Sequence, residues 1–154
     1  MASPTQAQRS CAVPGSPLEI LLNGRVMISD NLSSYKLVEN LTFNDLDRMA
    51  KSVDASRKNQ IVAAVLGESP NTGKRRLKHP ENLLNPDQGA RALRFAQVLT
   101  QAQDIFRDRC VAARWFFEPA IGLGGEKPVR LLSNPFGYEL VADFMMRIEH
   151  GVYH

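Results

Sequence analysis

Apolar residues recur every three to five positions from Leu32 onward, the spacing that places them on one face of a helix. The first strongly predicted helix begins at the N-cap residue Thr42, with Asp45 three residues later. Its buried face is predicted to consist of Leu41, Leu46, Met49, Ala50 and Val53. A second helix over residues 56–66 is expected to end at Gly67, which supplies a left-handed cap.

Three further helix starts combine an N-cap residue with a following proline. Proline at the first helical position costs no hydrogen bond, so Ser69-Pro70, Asn85-Pro86 and Asn134-Pro135 each predict a start. The second of these helices is expected to run to about Phe106, and shorter helices follow over 108–117 and 127–132. The last helix is predicted to bury Leu140, Val141, Phe144 and Ile148. Because no convincing strand follows residue 30, the predicted fold class is all-α.

The N-terminal segment has a different pattern. Ser, Pro, Gln and Ala dominate residues 1–17, which predicts a mobile arm. Two apolar stretches, Leu18–Leu22 and Val26–Ile28, flank the turn dipeptide Asn23-Gly24. They are compatible with a short β-hairpin or with an irregular arm that carries apolar anchors. In either case the exposed apolar residues make this segment a candidate for dimerisation.

The composition is that of a globular protein, with 154 residues of which 44% are hydrophobic and 23% charged. Neither an apolar run of about 20 residues nor a secretory signal is visible, so a cytoplasmic protein is expected. Cys11, Cys110 and the three histidines lack the spacing of a ligand set, so neither a metal nor a cofactor is expected. Cys110 and His150 have no recognisable orienting partner for nucleophilic catalysis, so no enzyme is expected.

The net charge of +3 is concentrated in the middle of the chain. Residues 48–79 carry eight basic side chains against two acidic ones, a net +6 that favours a polyanionic partner. In this segment a helix, a glycine turn and a short basic helix follow one another, as in a helix-turn-helix whose second helix enters the major groove. The predicted DNA-binding residues are Ser69, Asn71, Thr72, Lys74, Arg75, Arg76 and Lys78. The alternative is a solvated basic helix without a nucleic-acid role.

An ordered set of motifs resembles the MbcA/ParS/Xre family of antitoxins, whose toxins carry the RES domain. The C-terminal motifs are Ala112-Ala113-Arg114-Trp115-Phe116, Leu123-Gly124-Gly125-Glu126-Lys127-Pro128 and Arg147-Ile148-Glu149-His150-Gly151-Val152-Tyr153. Upstream, Ser69-x-x-Thr72-x-x-Arg75-Arg76 is similar to a segment of the family's Xre-like half. Two positions depart from the pattern. Arg107 stands where the family commonly has glycine, and Gly73 replaces a helix-favouring residue.

The resemblance implies an Xre-like helix-turn-helix half followed by a small helical toxin-binding domain, with divisions at 1–30, 31–88 and 89–154. It implies the antitoxin of a type II toxin–antitoxin system, which covers the NAD-binding cleft of a RES-domain toxin that degrades NAD or transfers ADP-ribose from it. Further implied partners are operator DNA, through which the operon is repressed, and a second copy of the chain within a larger hetero-oligomer. The predicted toxin-binding residues are Arg114, Trp115, Arg147, His150, Val152 and Tyr153.

Two alternatives concern the C-terminal residues and one concerns the function. Trp115 is either a core residue of a small domain or an interface residue. The C-terminal tail either threads into a partner's cleft or covers the domain's own core. A stand-alone helix-turn-helix regulator without a toxin would explain the basic middle of the chain but not the C-terminal motifs.

Overall fold

The computed structural model describes residues 15–24 and 31–151. Their α-helices are α1 (Pro17–Leu22), α2 (Asn31–Val38), α3 (Phe43–Val53), α4 (Lys58–Leu66), α5 (Pro70–Arg76), α6 (Pro86–Phe106), α7 (Arg109–Phe117), α8 (Pro128–Leu131) and α9 (Pro135–Glu149). Short 3₁₀ turns cover Ala55–Arg57 and Ile121–Leu123. Within these residues β-structure is limited to two isolated bridges, Thr42 with Leu83 and Ala120 with Glu126. The prediction of an all-α fold is confirmed.

The predicted helix starts coincide with side-chain caps. Thr42 accepts a hydrogen bond from the Asp45 N–H, and the Asp45 carboxylate accepts one from the Thr42 N–H, a reciprocal capping box. Asn85 and Gln88 form the same arrangement at the start of α6. Because each box satisfies donors that a helix terminus leaves unpaired, it fixes the first turn independently of tertiary contacts.

The first described segment corrects a prediction of the sequence. Residues 17–22 form helix α1, which is neither the first strand of a hairpin nor an irregular arm. The Ser16 side chain caps this helix, and Pro17 occupies its first turn. Leu21 and Leu22 are buried in the core, and the Leu18 N–H donates to Thr100 Oγ1 at 3.0 Å. Ser16 and Pro17, which were predicted to belong to the mobile arm, are therefore part of this capped helix, and residues 1–14 of the predicted arm lie outside the described residues. The second predicted strand, Val26–Ile28, lies outside the described residues.

Helix α6 is the central element of the molecule. Its 21 residues pack against α1, α2, α3 and α4 of the N-terminal half and against α7 and α9 of the C-terminal half. Its sequence predicts one apolar face, of which Ile105 and Phe106 are half-buried and the other members are buried: Ala92, Leu93, Ala96, Leu99 and Ala102. One hydrophobic cluster runs from Leu21 to Met145, so both halves of the chain share a core. The expected division between residues 88 and 89 falls in the first turn of α6.

The buried stripe of α9 differs from the prediction. Val141 is fully buried as predicted and Phe144 and Ile148 are half-buried, but Leu140 is 58% exposed. Met145 is fully buried on the face opposite Leu140. Gly137 faces α8 so closely that a Cβ atom there would overlap the Leu131 carbonyl oxygen. Among the described helices, none combines the length and apolarity needed to cross a membrane.

Candidate functional site

Helices α4 and α5 form a tight helix-turn-helix pair. Gly67 ends α4 with φ +69°, and Ser69 caps α5 by accepting a hydrogen bond from the Thr72 N–H. The helices approach closely at Gly73, which is buried and where an added Cβ would stand 3.4 Å from Val62 Cγ1. The glycine that departs from the family pattern is therefore the contact surface of α5 with α4, and the cationic side chains remain on the outside.

The predicted DNA-binding residues divide into two groups. Asn71, Lys74 and Arg75 are exposed and lie within about 100° on the outer face of α5, with Lys78 just beyond its end. The other three are engaged within the element. Ser69 Oγ lies 2.9 Å from Thr72 Oγ1, and Arg76 Nη2 forms an ion pair with Glu68 Oε1 at 3.2 Å. The structure thus gathers the seven residues on one short helix and its flanks, and all of them except Thr72 are exposed.

A cationic groove adjoins the C-terminal end of α5. It has a volume of about 420 Å³ and is lined by Phe43, Thr72, Arg75, Arg76, Lys78, His79 and Asn82. The Phe43 N–H donates to the Asn82 carbonyl oxygen at 3.0 Å, which holds the loop after α5 against α3. Asn82 reaches the groove only through this folding of the loop, so the sequence gave no sign of it. His79 directly follows the predicted residue Lys78 and was missed. The groove has the charge and size to accept a phosphate group.

Trp115 lies at the edge of the core in the C-terminal part of the chain. Its neighbour Phe116 is fully buried, while Trp115 is half-buried. The indole stacks on Phe144 with ring centroids 6.3 Å apart and an interplanar angle of 3°, and Phe106 packs against it at 5.8 Å. Trp115 therefore joins α6, α7 and α9 and keeps a partly accessible surface.

The outer face of α9 is apolar at one end and charged at the other. Phe136 is 79% exposed and Leu140 58% exposed, and Asp143 and Arg147 lie within the same arc of about 60°. Arg147 Nη2 contacts Asp143 Oδ2 at 2.7 Å, and His150 is exposed at the end of the helix. The sequence analysis missed Phe136 and assigned Leu140 to the core. The available signal was that α9 has more apolar residues than one buried stripe can take up.

A further apolar side chain lies close to α9. Gly122 lies directly against the Phe144 ring, where any Cβ would overlap it, and the adjacent Ile121 is 97% exposed. Large exposed apolar residues grouped beside one helix mark surfaces that bind other proteins. We define the α9 surface as Ile121, Phe136, Leu140, Met146, Arg147 and His150.

The remaining predicted residues lie in different places. Arg114 is exposed on α7, whereas Val152 and Tyr153 lie outside the described residues. Cys110 is half-buried near the start of α7. Across the described part of the chain, no group of three or more His, Cys, Asp and Glu side chains is arranged to hold a metal ion.

Comparison with known proteins gives a family match to this C-terminal part. Residues 101–151 match the family described as "Antitoxin Xre/MbcA/ParS C-terminal toxin-binding domain". The match takes in the end of α6 and all of α7, α8 and α9, and it therefore contains the α9 surface and Trp115.

Two curated relatives extend the similarity. An "Antitoxin Xre" of Yersinia enterocolitica is 36% identical over 80 residues, which are 51% of this chain and 53% of the relative. An "Antitoxin Xre" of Photorhabdus laumondii is 37% identical over 67 residues, which are 43% of this chain and 45% of the relative. The chain thus spans about half the length of these relatives. Residues 101–151 therefore match the C-terminal toxin-binding domain of the Xre/MbcA/ParS antitoxins, and about half of the chain is similar to two antitoxins of this kind.

Proposed function

We propose that this chain is the antitoxin of a toxin–antitoxin system and binds its cognate toxin through the α9 surface. The observation that carries the proposal is the exposure of Phe136, Leu140 and Ile121 inside the part of the chain that matches a toxin-binding domain. Burial of such side chains against a partner supplies the main favourable free energy of association. The chain needs no catalysis of its own for this role, because inhibition requires only that it stay bound.

The inhibitory step that we propose is occlusion of the toxin's substrate cleft. The family resemblance implies a RES-domain toxin that consumes NAD or transfers ADP-ribose from it. In this mechanism the apolar end of α9 packs beside the cleft, and Arg147 enters it together with the chain's last residues. The guanidinium is suited to pair with cleft carboxylates through parallel hydrogen bonds. In the free chain Arg147 forms an exposed ion pair with Asp143, which it exchanges for the toxin's carboxylates on binding.

Substitutions on the α9 surface test toxin binding. We expect Phe136→Ser with Leu140→Ser to weaken toxin binding by about 30-fold or more, the effect of removing central apolar interface residues. The matched control is Leu83→Ser, because Leu83 is 57% exposed but lies between α5 and α6, away from the α9 surface. Affinity is measured by calorimetry with a catalytically inactive toxin. Equal affinities for all three proteins would contradict the proposed site.

Removal of residues 147–154 tests the occlusion step separately. We expect the shortened chain to retain its fold, because Val141 and Met145 remain buried, and to leave the toxin active in an assay of NAD consumption. The intact chain should abolish this consumption at a one-to-one ratio of binding sites. Complete inhibition by the shortened chain would refute entry of the tail into the cleft while leaving toxin binding through Phe136 and Leu140 intact.

The exposed cations of α5 support DNA binding as a second function. Lys74 and Arg75, with Lys78 and the adjoining groove, form a positive surface at the C-terminal end of the second helix of the helix-turn-helix. We propose that the chain binds operator DNA through this surface and represses its own operon in the cytoplasm. Helix-turn-helix proteins commonly bind two half-sites as dimers, so a homodimer is part of the proposal.

A further inference from the structure

Two adjoining clefts separate α4 from α8. The larger, of about 660 Å³, lies beside the turn between α4 and α5 and is lined by Gln60, Ala63, Ala64, Gly67, Glu68, Val129, Arg130 and Ser133. The smaller, of about 420 Å³, lies beside the start of α4 and is lined by Arg57, Gln60, Phe117, Glu118, Lys127, Val129 and Arg130. They share Gln60, Val129 and Arg130. One wall therefore belongs to the helix-turn-helix and the other to the C-terminal domain.

The smaller cleft is positively charged. Arg57, Lys127 and Arg130 line it against the single carboxylate of Glu118. The Arg57 guanidinium lies 4.8 Å from the centre of the Phe117 ring and 3.8 Å from an Asp54 oxygen, so it is held in position. Lys127 and Arg130 are exposed, and neither forms an ion pair with any other residue that the structure describes. Their charges are available to a partner.

The clefts lie next to the DNA-binding surface proposed above. Gly67 and Glu68 line the larger cleft and lead directly into α5, so Arg130 borders the N-terminal side of that helix. Arg75, Lys78 and His79 border its C-terminal side. A helix that enters the major groove, which is about 12 Å wide, is flanked by a phosphate backbone on each side. The cations therefore lie near both ends of α5, where a helix seated in the groove comes close to the phosphate backbone.

We propose that Lys127 and Arg130 of the C-terminal domain bind the phosphodiester backbone of duplex DNA beside the bases that face α5. The proposal rests on the DNA binding proposed above and extends it to a domain matched only as toxin-binding. Contacts of this kind fix register and add affinity without selecting sequence. They also leave the α9 surface unoccupied, so the same domain serves two partners through different helices.

The test measures DNA affinity of the full chain with Lys127→Ala and Arg130→Ala combined. Fluorescence anisotropy is recorded on a duplex from upstream of the chain's own reading frame and on a scrambled duplex, between 50 and 300 mM salt. Loss of two phosphate contacts is expected to lower the slope of log affinity against log salt by about 2 and to weaken binding about tenfold or more at 100 mM salt. The affinity for both duplexes should fall by the same factor.

The control removes the same charge elsewhere. Lys36→Ala with Arg114→Ala takes one lysine and one arginine from surfaces that line neither cleft, and it should reduce affinity far less. Far-ultraviolet circular dichroism checks that each protein keeps its helices. Toxin affinity is measured for the Lys127 and Arg130 variant as well, and it is expected to equal that of the unaltered chain.

Three outcomes would overturn the inference, and each has a distinct signature. Unchanged DNA affinity and slope in the Lys127 and Arg130 variant, with Arg75→Ala still weakening binding, would refute the α8 contact and leave DNA binding by α5 intact. Absence of DNA binding by the unaltered chain would refute both proposals together. Loss of toxin affinity without loss of DNA affinity would assign the cleft to the toxin.

Discussion

Arg107 ends α6 in a left-handed backbone conformation, with φ +55° and ψ +22°. Its N–H donates to the Gln103 carbonyl oxygen at 2.9 Å and so closes the last turn. For a residue with a Cβ this conformation is strained by about 1 kcal/mol, whereas glycine adopts it freely. The family's common glycine at this position is thus explained by backbone geometry, and this chain departs from it at an energetic cost.

We expect Arg107→Gly to stabilise the protein by about 1 kcal/mol, because it relieves the strain and the exposed side chain has little packing to lose. The change is measured as a higher urea midpoint with an unchanged slope. Arg114→Gly is the matched control, since Arg114 is exposed in the interior of α7 and its backbone is helical. That variant should be less stable by about 1 kcal/mol. A destabilised Arg107→Gly protein would contradict the interpretation.

The helices that the sequence predicted well are those with local start and stop signals. Thr42, Ser69, Asn85 and Asn134 each cap a helix where expected, because a cap depends on residues within one turn. Helix α1 carries the same signal, Ser16 followed by Pro17, but the proline-rich surroundings favoured a breaker. Its six residues are helical because Leu21 and Leu22 gain burial against α3 and α6, a contact that no local pattern contains.

The sequence predicted the exposed face of α5 better than the α9 surface, because the first depends on local residues and the second on tertiary packing. The cations of α5 are neighbours in sequence, so their shared face follows from helical geometry. The α9 surface depends on which side of α9 the core takes up, and Leu140 differs from the adjacent Val141 by a rotation of about 100°. Apolar periodicity alone does not separate such neighbours. Packing against α6 and α8 decides between them, and it buries Val141.

The two adjacent arginines of α5 should contribute differently to DNA binding. Arg75 is exposed on the outer face, while Arg76 is paired with Glu68. We expect Arg75→Ala to reduce the slope of log DNA affinity against log salt concentration by about 1, and Arg76→Ala to reduce this slope less. The comparison is made by anisotropy titration at several salt concentrations. A larger loss of DNA affinity for Arg76→Ala than for Arg75→Ala would show that DNA displaces Glu68 from its ion pair with Arg76.

At the scale of the whole molecule, the parts proposed to bind DNA and toxin are joined by packing rather than by a flexible linker. Helix α6 contributes to both, and its Arg91 side chain donates hydrogen bonds to the Val65 and Leu66 carbonyl oxygens at the end of α4. Helix α1 packs against α3 and α6 together. A single cooperative unfolding transition is therefore expected for the described part of the chain.

Leu21→Ala tests this cooperativity. Leu21 is fully buried between α1, α3 and α6, so its truncation should reduce stability by about 2–5 kcal/mol. The unfolding curve should move as a whole and remain a single transition when followed by circular dichroism. Leu32→Ala provides the control, because Leu32 is 62% exposed and should change stability by less than about 0.5 kcal/mol. Two separate transitions after the Leu21 change would mean that the halves fold independently.

Trp115 is an intrinsic fluorescent probe of the C-terminal part of the chain. It is the single tryptophan of the chain, and the ring stacked on it belongs to α9. A change in how α9 sits on α7 must alter the surroundings of that indole, and with them its emission. Fluorescence excited at the red edge of the indole band will therefore report on the packing of α9 against α7, even while α5 is bound to another partner.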